Sequence, residues 1–205
     1  MRYRRTDVAG ATYFFTVNLA ERDRALLTDH VATLRTVMRG VKRRHPFHID
    51  AMVILPDHLH CVLTLPEGDA DYPLRWLLIK AGFSRHIPKT ERRNSSRVGK
   101  GERAVWQRRY WEHMIRDARD YARHVDYIHF NPVKHGLVSA VADWPYSTFC
   151  RYVRAGVYPD DWGGNPVCDG MEFEQASRLR VRWLNARPAE PATLRDIAFM
   201  LALRL

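Results

Sequence analysis

The sequence has few cysteines, no long apolar run and no excess of acidic residues, and each absence excludes a class of protein. Its three cysteines, Cys61, Cys150 and Cys168, are widely spaced and odd in number, which favours free thiols over a disulfide framework or a cysteine-rich zinc site. No apolar stretch reaches the roughly 18–20 residues of a membrane-spanning helix, and the amino terminus lacks the apolar region of a secretory signal. The sequence therefore predicts a cytoplasmic protein with no membrane partner.

Basic residues outnumber acidic ones, with 33 Lys and Arg against 23 Asp and Glu and a formal net charge of +10. Such a charge attracts polyanions, and nucleic acid is the first candidate. Residues 85–109 hold nine of the basic side chains against two acidic ones, so this segment is either a DNA-binding surface or a solubilising loop. The side chains predicted to contact nucleic acid are Arg2, Arg4, Arg5, Lys42, Arg43, Arg44, Arg92, Arg93, Arg108 and Arg109.

Hydrophobic periodicity predicts a succession of strands and helices along the 205 residues. Strands are predicted over residues 12–19, 47–55, 58–65 and 105–115. Helices are predicted from a cap at Thr28 to the basic stretch before Pro46, over residues 74–87, and over residues 117–131, where Pro132 is expected to end the helix.

This order, β-α-β-β-α-β and then a helix, predicts an α+β, ferredoxin-like fold with an antiparallel sheet and helices on one face. Residues 1–165 are expected to form one functional domain, and residues 88–104 a mobile basic loop within it. Residues 166–205 are expected to form a C-terminal helical tail.

Two histidines, His58 and His60, stand two residues apart in the third predicted strand. Side chains at that spacing point to the same face of a strand, so the two imidazoles are expected side by side. Imidazole is a common ligand of transition metals and is tolerated by Mn²⁺. The pattern is also compatible with two polar residues on an exposed strand face, and the pair alone does not decide between the two.

A second candidate pair, Tyr127 and Asn131, is predicted to lie on one face of the helix over residues 117–131. A tyrosine hydroxyl can act as a covalent nucleophile. The amide oxygen of Asn131 is a hard ligand that can complete a site with two histidines and leave positions open for phosphate oxygens. Tyr127 is one of nine tyrosines, and ordinary packing is the alternative.

Several separate motifs, in one order, resemble the IS200-like tyrosine transposases, and among them the branch associated with repetitive extragenic palindromes (REP). The matching stretches are YFFTVNL at 13–19, LPDHLHC at 55–61, LPEGD at 65–69, WQRRYWEH at 106–113, HVDYI at 124–128, NPVKHG at 131–136 and DWPYSTF at 143–149. The similarity covers roughly residues 3–165.

This resemblance implies a single-strand nuclease domain of the HUH type, named for its His-hydrophobic-His motif. By the same resemblance, His58 and His60 match the metal-binding histidines, Tyr127 matches the nucleophile, and Asn131 falls where relatives carry an amide side chain as third ligand. The implied cofactor is Mg²⁺ or Mn²⁺. The implied substrate is single-stranded or hairpin DNA from palindromic repeats, cut and rejoined through a 5′-phosphotyrosine by a monomer or homodimer associated with the nucleoid.

Other interpretations fit the residues less well. An HNH-type nuclease using His129, Asn131 and His135 conflicts with the predicted helix, and a metallo-hydrolase would need Asp and His after His60. A non-catalytic protein that binds DNA hairpins, or a general single-strand binder, need not retain both histidines and Tyr127. His113 is expected to fasten its strand to a helix or to touch DNA.

Overall fold

The computed structural model describes residues 8–92 and 95–163. The strands are β1 (Thr12–Asn18), β2 (His48–Ile54), β3 (His58–Thr64) and β4 (Trp111–Met114). The helices are α1 (Leu26–Asp29), α2 (Val31–Arg44), α3 (Tyr72–His86), α4 (Ser95–Gly99), α5 (Ala118–Lys134) and α6 (Phe149–Arg154), with a 3₁₀ turn at Val141–Asp143. None of the described helices is long and apolar enough to cross a bilayer.

The four strands form one sheet in the order β2-β3-β1-β4, and β1 pairs antiparallel with both β3 and β4. The order and direction confirm the predicted ferredoxin-like α+β architecture. Thr16 of β1 is paired with His60 on one side and with Trp111 on the other. Because directly paired residues share a face, these three side chains form a row across the sheet.

The opposite face of the sheet is apolar and packs against α3. Tyr13 and Phe15 are fully buried there, and their rings contact Tyr72 at centroid distances of 4.7 and 5.3 Å. Helix α2 packs closely on α3 at Gly82, where an added Cβ would lie 2.6 Å from a methyl of Val37. Helices α2 and α3 therefore lie on one side of the sheet, as predicted.

Helix α5 differs from the prediction at its end, because it continues through Pro132 to Lys134. The missing N–H of a proline breaks one hydrogen bond of a helix, but Pro132 stands in the last turn and is buried. The amide of His135 still donates to Asn131 O at 3.0 Å and that of Leu137 to Pro132 O at 3.0 Å. The remaining hydrogen bonds thus keep the last turn helical.

Strand β4 is shorter than the predicted 105–115. Residue 106 forms only an isolated bridge with Leu19. The carbonyls of Gln107 and Arg108 accept hydrogen bonds from Lys80 Nζ, at 2.6 and 3.3 Å, instead of a neighbouring strand. The continuous ladder with β1 begins at Trp111, although Gln107 N still donates to Asn18 O at 3.0 Å.

Two further expectations are corrected. Thr28 does not cap the long helix, because its hydroxyl donates to Ala25 O at 3.0 Å and α2 begins only at Val31. The segment 88–104 is not irregular throughout, since it contains α4. The predicted helices of the tail at 166–205 lie outside the described residues.

The described part of the chain divides into two compact units. The first comprises residues 8–49 together with 54–114, and the second comprises residues 50–53 together with 115–163. In the described part of the second unit, His129 is fully buried among the rings of Phe149, Tyr152 and Tyr158, at centroid distances of 4.8 to 5.7 Å. The Tyr121 and Tyr152 hydroxyls lie 3.2 Å apart and share a hydrogen bond. Aromatic packing therefore forms the core behind α5.

Candidate metal and nucleophile sites

The two histidines of β3 lie side by side on the face of the sheet opposite α3. Their ring centroids are 4.9 Å apart, with the planes nearly perpendicular, and the residues are 5% and 3% exposed. Two imidazoles this close, on a strand held between β1 and β2, are a suitable pair of ligands for one cation. The pairing predicted for His58 and His60 from their spacing is confirmed as geometry.

Each histidine has a hydrogen bond at Nδ1 that orients its ring. Asp57 Oδ1 lies 2.7 Å from Nδ1 of His58, and Thr16 Oγ1 lies 2.8 Å from Nδ1 of His60. An ionised carboxylate only accepts hydrogen bonds, so the Nδ1–H of His58 is the donor and Nε2 carries the lone pair. A carboxylate or hydroxyl behind a histidine in this way is the arrangement found behind metal-binding imidazoles.

Arg22 binds Asp57 from the solvent side. Its Nε–H donates to Asp57, its Nη1 donates to Asn18 Oδ1 at 3.0 Å, and half of its side chain is exposed. Burial alone raises the pKa of Asp57, but hydrogen bonds from His58 and Arg22 outweigh it and hold that pKa below the usual 3.8. Asp57 is therefore ionised at neutral pH and keeps its acceptor role toward His58.

In the second unit, α5 carries Tyr127 and Asn131 one turn apart, as predicted. Asn131 is fully buried, and its Nδ2 donates to the carbonyl of Tyr127 at 3.4 Å. Its Oδ1 is buried and has no hydrogen-bond partner among the described residues, which is unusual for a buried carbonyl oxygen. Such an oxygen can coordinate a cation. Lys134 Nζ lies 4.8 Å from the Tyr127 ring centroid.

The structure excludes the HNH-type interpretation of the same helix. His129 is fully buried, and its Nε2 is 2.9 Å from Thr148 Oγ1. The ring is thus part of the aromatic core of the second unit rather than a ligand presented to solvent.

Several of the basic residues predicted to contact nucleic acid lie on the surface. The exposed ones are Lys42, Arg43, Arg44, Arg92, Arg108 and Arg109. Lys42, Arg43 and Arg44 are consecutive in the last turn of α2, where cations also favour the helix dipole. Arg2, Arg4, Arg5 and Arg93 lie outside the described residues.

Within the basic segment 85–109, some arginines hold the segment together. Arg103 forms a double hydrogen bond with the Glu91 carboxylate, with both distances at 2.6 Å, and lowers the pKa of Glu91 to about 2. Arg97 donates to the carbonyl of Trp106 through two nitrogens at 3.1 Å, and Arg108 forms an ion pair with Glu102 at 2.9 Å. Part of the charge in this segment therefore serves its own structure.

Sequence reasoning did not assign roles to Thr16, Arg22 or Asp57. Asp57 directly precedes His58, so its position was a usable signal. Thr16 and Arg22 are 44 and 36 residues away from their histidines. Only the strand register brings them together, and no local pattern encodes that register.

A ferredoxin-like sheet with a His-hydrophobic-His pair on a central strand is typical of the HUH class of single-strand nucleases. Residues 8–131 match the family model described as Transposase IS200 like.

Two relatives and one solved structure are similar over most of the chain. A REP-associated tyrosine transposase of Escherichia coli K12 is 49% identical over 177 residues, 86% of this chain and 97% of its own. A Haemophilus influenzae protein assigned to the same group is 48% identical over 165 residues, 80% of this chain and 94% of its own. The solved structure, of a REP-associated tyrosine transposase bound to a REP hairpin, is 48% identical, has a TM-score of 0.69, and covers 83% of this chain and 95% of that one.

These matches show that the chain belongs to the IS200-like transposase family, in the group of REP-associated tyrosine transposases. It is therefore an enzyme that acts on DNA. The matches confirm the family and the class of enzyme.

Proposed function

We propose that this transposase is a metal-dependent endonuclease and strand transferase that cuts and rejoins single-stranded DNA through a 5′-phosphotyrosine at Tyr127. The observation that carries the proposal is the pair of imidazoles of His58 and His60, 4.9 Å apart and each oriented through Nδ1. A protein that only binds hairpins gains nothing from two oriented, partly desolvated histidines. A metal-assisted nuclease can use such a pair as ligands of its cation.

The cation proposed for this site is Mg²⁺ or Mn²⁺, held by His58, His60 and Asn131. The donor set fits a loosely held ion, because two imidazoles and one amide oxygen fall short of the closed four-ligand set of structural zinc. The buried Asn131 Oδ1, without a partner among the described residues, supports its part in the set. When bound, the cation supplies Lewis-acid chemistry that withdraws charge from the scissile phosphate.

Tyr127 is the proposed nucleophile. Its hydroxyl oxygen attacks the phosphorus, the bond from phosphorus to the 3′ oxygen breaks, and that oxygen leaves as a 3′-hydroxyl while the phenolic proton is released. Lys134 Nζ, 4.8 Å from the Tyr127 ring centroid, places a positive charge beside the reacting residue. In the reverse step a 3′-hydroxyl attacks the same phosphorus and displaces the tyrosine, so the strand is resealed without ATP.

The proposed substrate is single-stranded DNA, or a hairpin with an unpaired extension, from palindromic repeats. A relative of known structure is bound to a REP hairpin, which supports a hairpin substrate here. The exposed basic residues would hold the phosphates, as in other proteins that track a single strand.

Metal removal tests the proposal. With labelled hairpin DNA, EDTA should stop cleavage, and Mg²⁺ or Mn²⁺ should restore it. His58→Ala or His60→Ala should abolish cleavage while DNA binding in a native gel survives, because phosphate contacts dominate affinity. Wild-type cleavage by either variant would show that the histidines hold no catalytic metal. A shifted band on the native gel with no cleavage by the wild-type protein would mean a hairpin-binding protein instead.

A further inference from the structure

Trp111 is a large aromatic side chain that is not buried in the core. It begins β4, at the edge of the sheet, and is 51% exposed. Scattered exposed apolar residues are common and need no explanation by themselves. Trp111 differs from them in its position, because its register with Thr16 and His60 places it in the same row and on the same face as the paired histidines.

An aromatic contact links Trp111 to that pair. The Phe14 ring lies 5.6 Å from the Trp111 ring and 5.6 Å from the His60 ring, measured between centroids, and Phe14 itself is buried. With two interstrand steps of about 4.8 Å, the Trp111 and His60 backbones are roughly 10 Å apart. Trp111 therefore lies within a few nucleotides' reach of a scissile phosphate held at the histidines.

The indole of Trp111 is also braced. The His113 ring lies parallel to it, at an interplanar angle of 4° and a centroid distance of 5.9 Å, and the Phe14 ring meets it at an interplanar angle of 70°. A side chain already held in one orientation loses less entropy when a ligand stacks on it. Bracing of this kind suits a recognition surface that takes a flat ligand.

We propose that Trp111 is a stacking platform for an unpaired nucleobase of the substrate strand, next to the cleavage site. The proposal rests on the proposed function for the location of that site. A nucleobase is the occupant that the chemistry favours, because the net charge of +10 draws a polyanionic strand to the molecule and every base offers a π-face.

The test compares two single strands of equal length, an oligothymidylate and an abasic strand with the same backbone. Binding is measured in EDTA and at low ionic strength, where phosphate contacts give measurable affinity to any single strand. Trp111→Leu keeps an apolar side chain but removes the aromatic face. It should weaken binding of the oligothymidylate by roughly 5-fold to 150-fold and leave binding of the abasic strand unchanged.

Two control variants separate stacking from other effects. Trp111→Phe keeps an aromatic ring and should recover most of the oligothymidylate affinity. Leu77→Ala removes a side chain that is 63% exposed on α3 and should change neither affinity. Thermal unfolding of all variants checks that each is folded.

The inference is overturned if Trp111→Leu binds oligothymidylate as the wild type does, if it loses affinity equally for the abasic strand, or if the wild type does not distinguish the two strands. Failure of the proposed function is a separate result, because these measurements need neither a metal nor Tyr127. If the protein forms no covalent adduct but shows base-dependent binding through Trp111, the stacking proposal stands and the proposed cleavage fails.

Discussion

At the scale of single residues, the orientation of the paired histidines depends on three neighbouring side chains. Asp57 and Thr16 each bind one Nδ1, and Arg22 holds Asp57 from the solvent side. The Asp57 contact is the stronger constraint, because an ionised carboxylate fixes both the ring orientation and the position of the ring proton. A hydroxyl such as that of Thr16 fixes the orientation alone, since it can donate or accept.

Asp57→Asn tests this role. The amide keeps the shape of the side chain but loses the charge, so the His58 ring is held less firmly and its Nε2 is a weaker base. Replacement of such partners typically costs 10–100-fold in metal affinity, and we expect the Kd for Mn²⁺, measured by isothermal titration calorimetry, to rise by about that factor.

The matched control for Asp57 is Asp23→Asn, which makes the same change in charge at an exposed residue that directly follows Arg22. It should leave Mn²⁺ affinity within about twofold of the wild type, since a surface charge is largely screened. Equal Mn²⁺ affinity of Asp57→Asn and the wild type would show that Asp57 does not support a metal ligand.

At the scale of the elements, the site depends on a sheet that is supported from behind by α2 and α3. The two helices approach each other where α3 has a glycine, Gly82, facing Val37 of α2. In α2 a second glycine, Gly40, has nothing within 4 Å of the position of an added Cβ. Replacing each glycine by alanine therefore distinguishes the effect of helix propensity on stability from the effect of packing.

Gly82→Ala should lower the free energy of unfolding by about 1–2 kcal/mol, because overpacking typically costs 1–3 kcal/mol and the alanine returns up to about 1 kcal/mol of helix propensity. Gly40→Ala should raise it by up to about 1 kcal/mol. Urea unfolding measures both. In a Val37→Ala background, where the clashing methyls are absent, Gly82→Ala should no longer destabilise. Destabilisation that persists there would contradict the close contact between α2 and α3.

The elements also show how far the sequence predicts the fold. Strands β1, β2 and β3 were predicted to within one residue at each end, because the β-branched and aromatic composition of β1 and the Pro56-Asp57 turn between β2 and β3 are local signals. The end of α5 was wrong because a proline in the last turn breaks only one hydrogen bond. The predicted start of β4 was wrong because Lys80, distant in sequence, donates hydrogen bonds to the carbonyls of Gln107 and Arg108.

In the candidate site, too, only the features with a local signal could be predicted from the sequence. The spacing of His58 and His60 was enough to predict that they share a face, since side chains alternate along any strand. Nothing in the local sequence predicts that Thr16 hydrogen-bonds His60 or that Arg22 reaches Asp57, because both contacts depend on the register of β1 against β3. The roles of Tyr127 and Asn131 remain predictions.

At the scale of the whole molecule, the net charge of +10 is divided between structural and exposed groups. In the basic segment, Arg97 and Arg103 are bound to carbonyls and to Glu91, whereas Arg92, Lys100 and Arg109 are exposed. Only the second group is suited to phosphate contacts. A count of basic residues in the sequence therefore overstates the charge that this segment offers to DNA.

Neutralising Arg92, Lys100 and Arg109 together to Gln should reduce the salt dependence of single-strand binding. Each lost phosphate contact changes the slope of log K against log salt by about 0.7, so three contacts amount to a change of about 2. Fluorescence anisotropy over a range of KCl concentrations measures the slope.

A matched triple removes the same charge elsewhere, at the exposed residues Arg35, Arg39 and Arg154. If the basic segment touches the strand, this second triple should change the slope less than the first. Equal changes in slope would mean that the segment contributes only through the net charge of the molecule.

The most direct test of the account is covalent capture of DNA by Tyr127. Wild-type protein, mixed with Mn²⁺ and a labelled repeat hairpin, should give an adduct that survives a denaturing gel. Tyr127→Phe removes only the hydroxyl and should bind the hairpin normally without forming the adduct, whereas Tyr121→Phe, on the same helix, should still form it. Trypsin should leave the label on residues 124–134, a peptide whose single tyrosine is Tyr127. A label on a peptide with another tyrosine, or an adduct formed by Tyr127→Phe, would contradict the account.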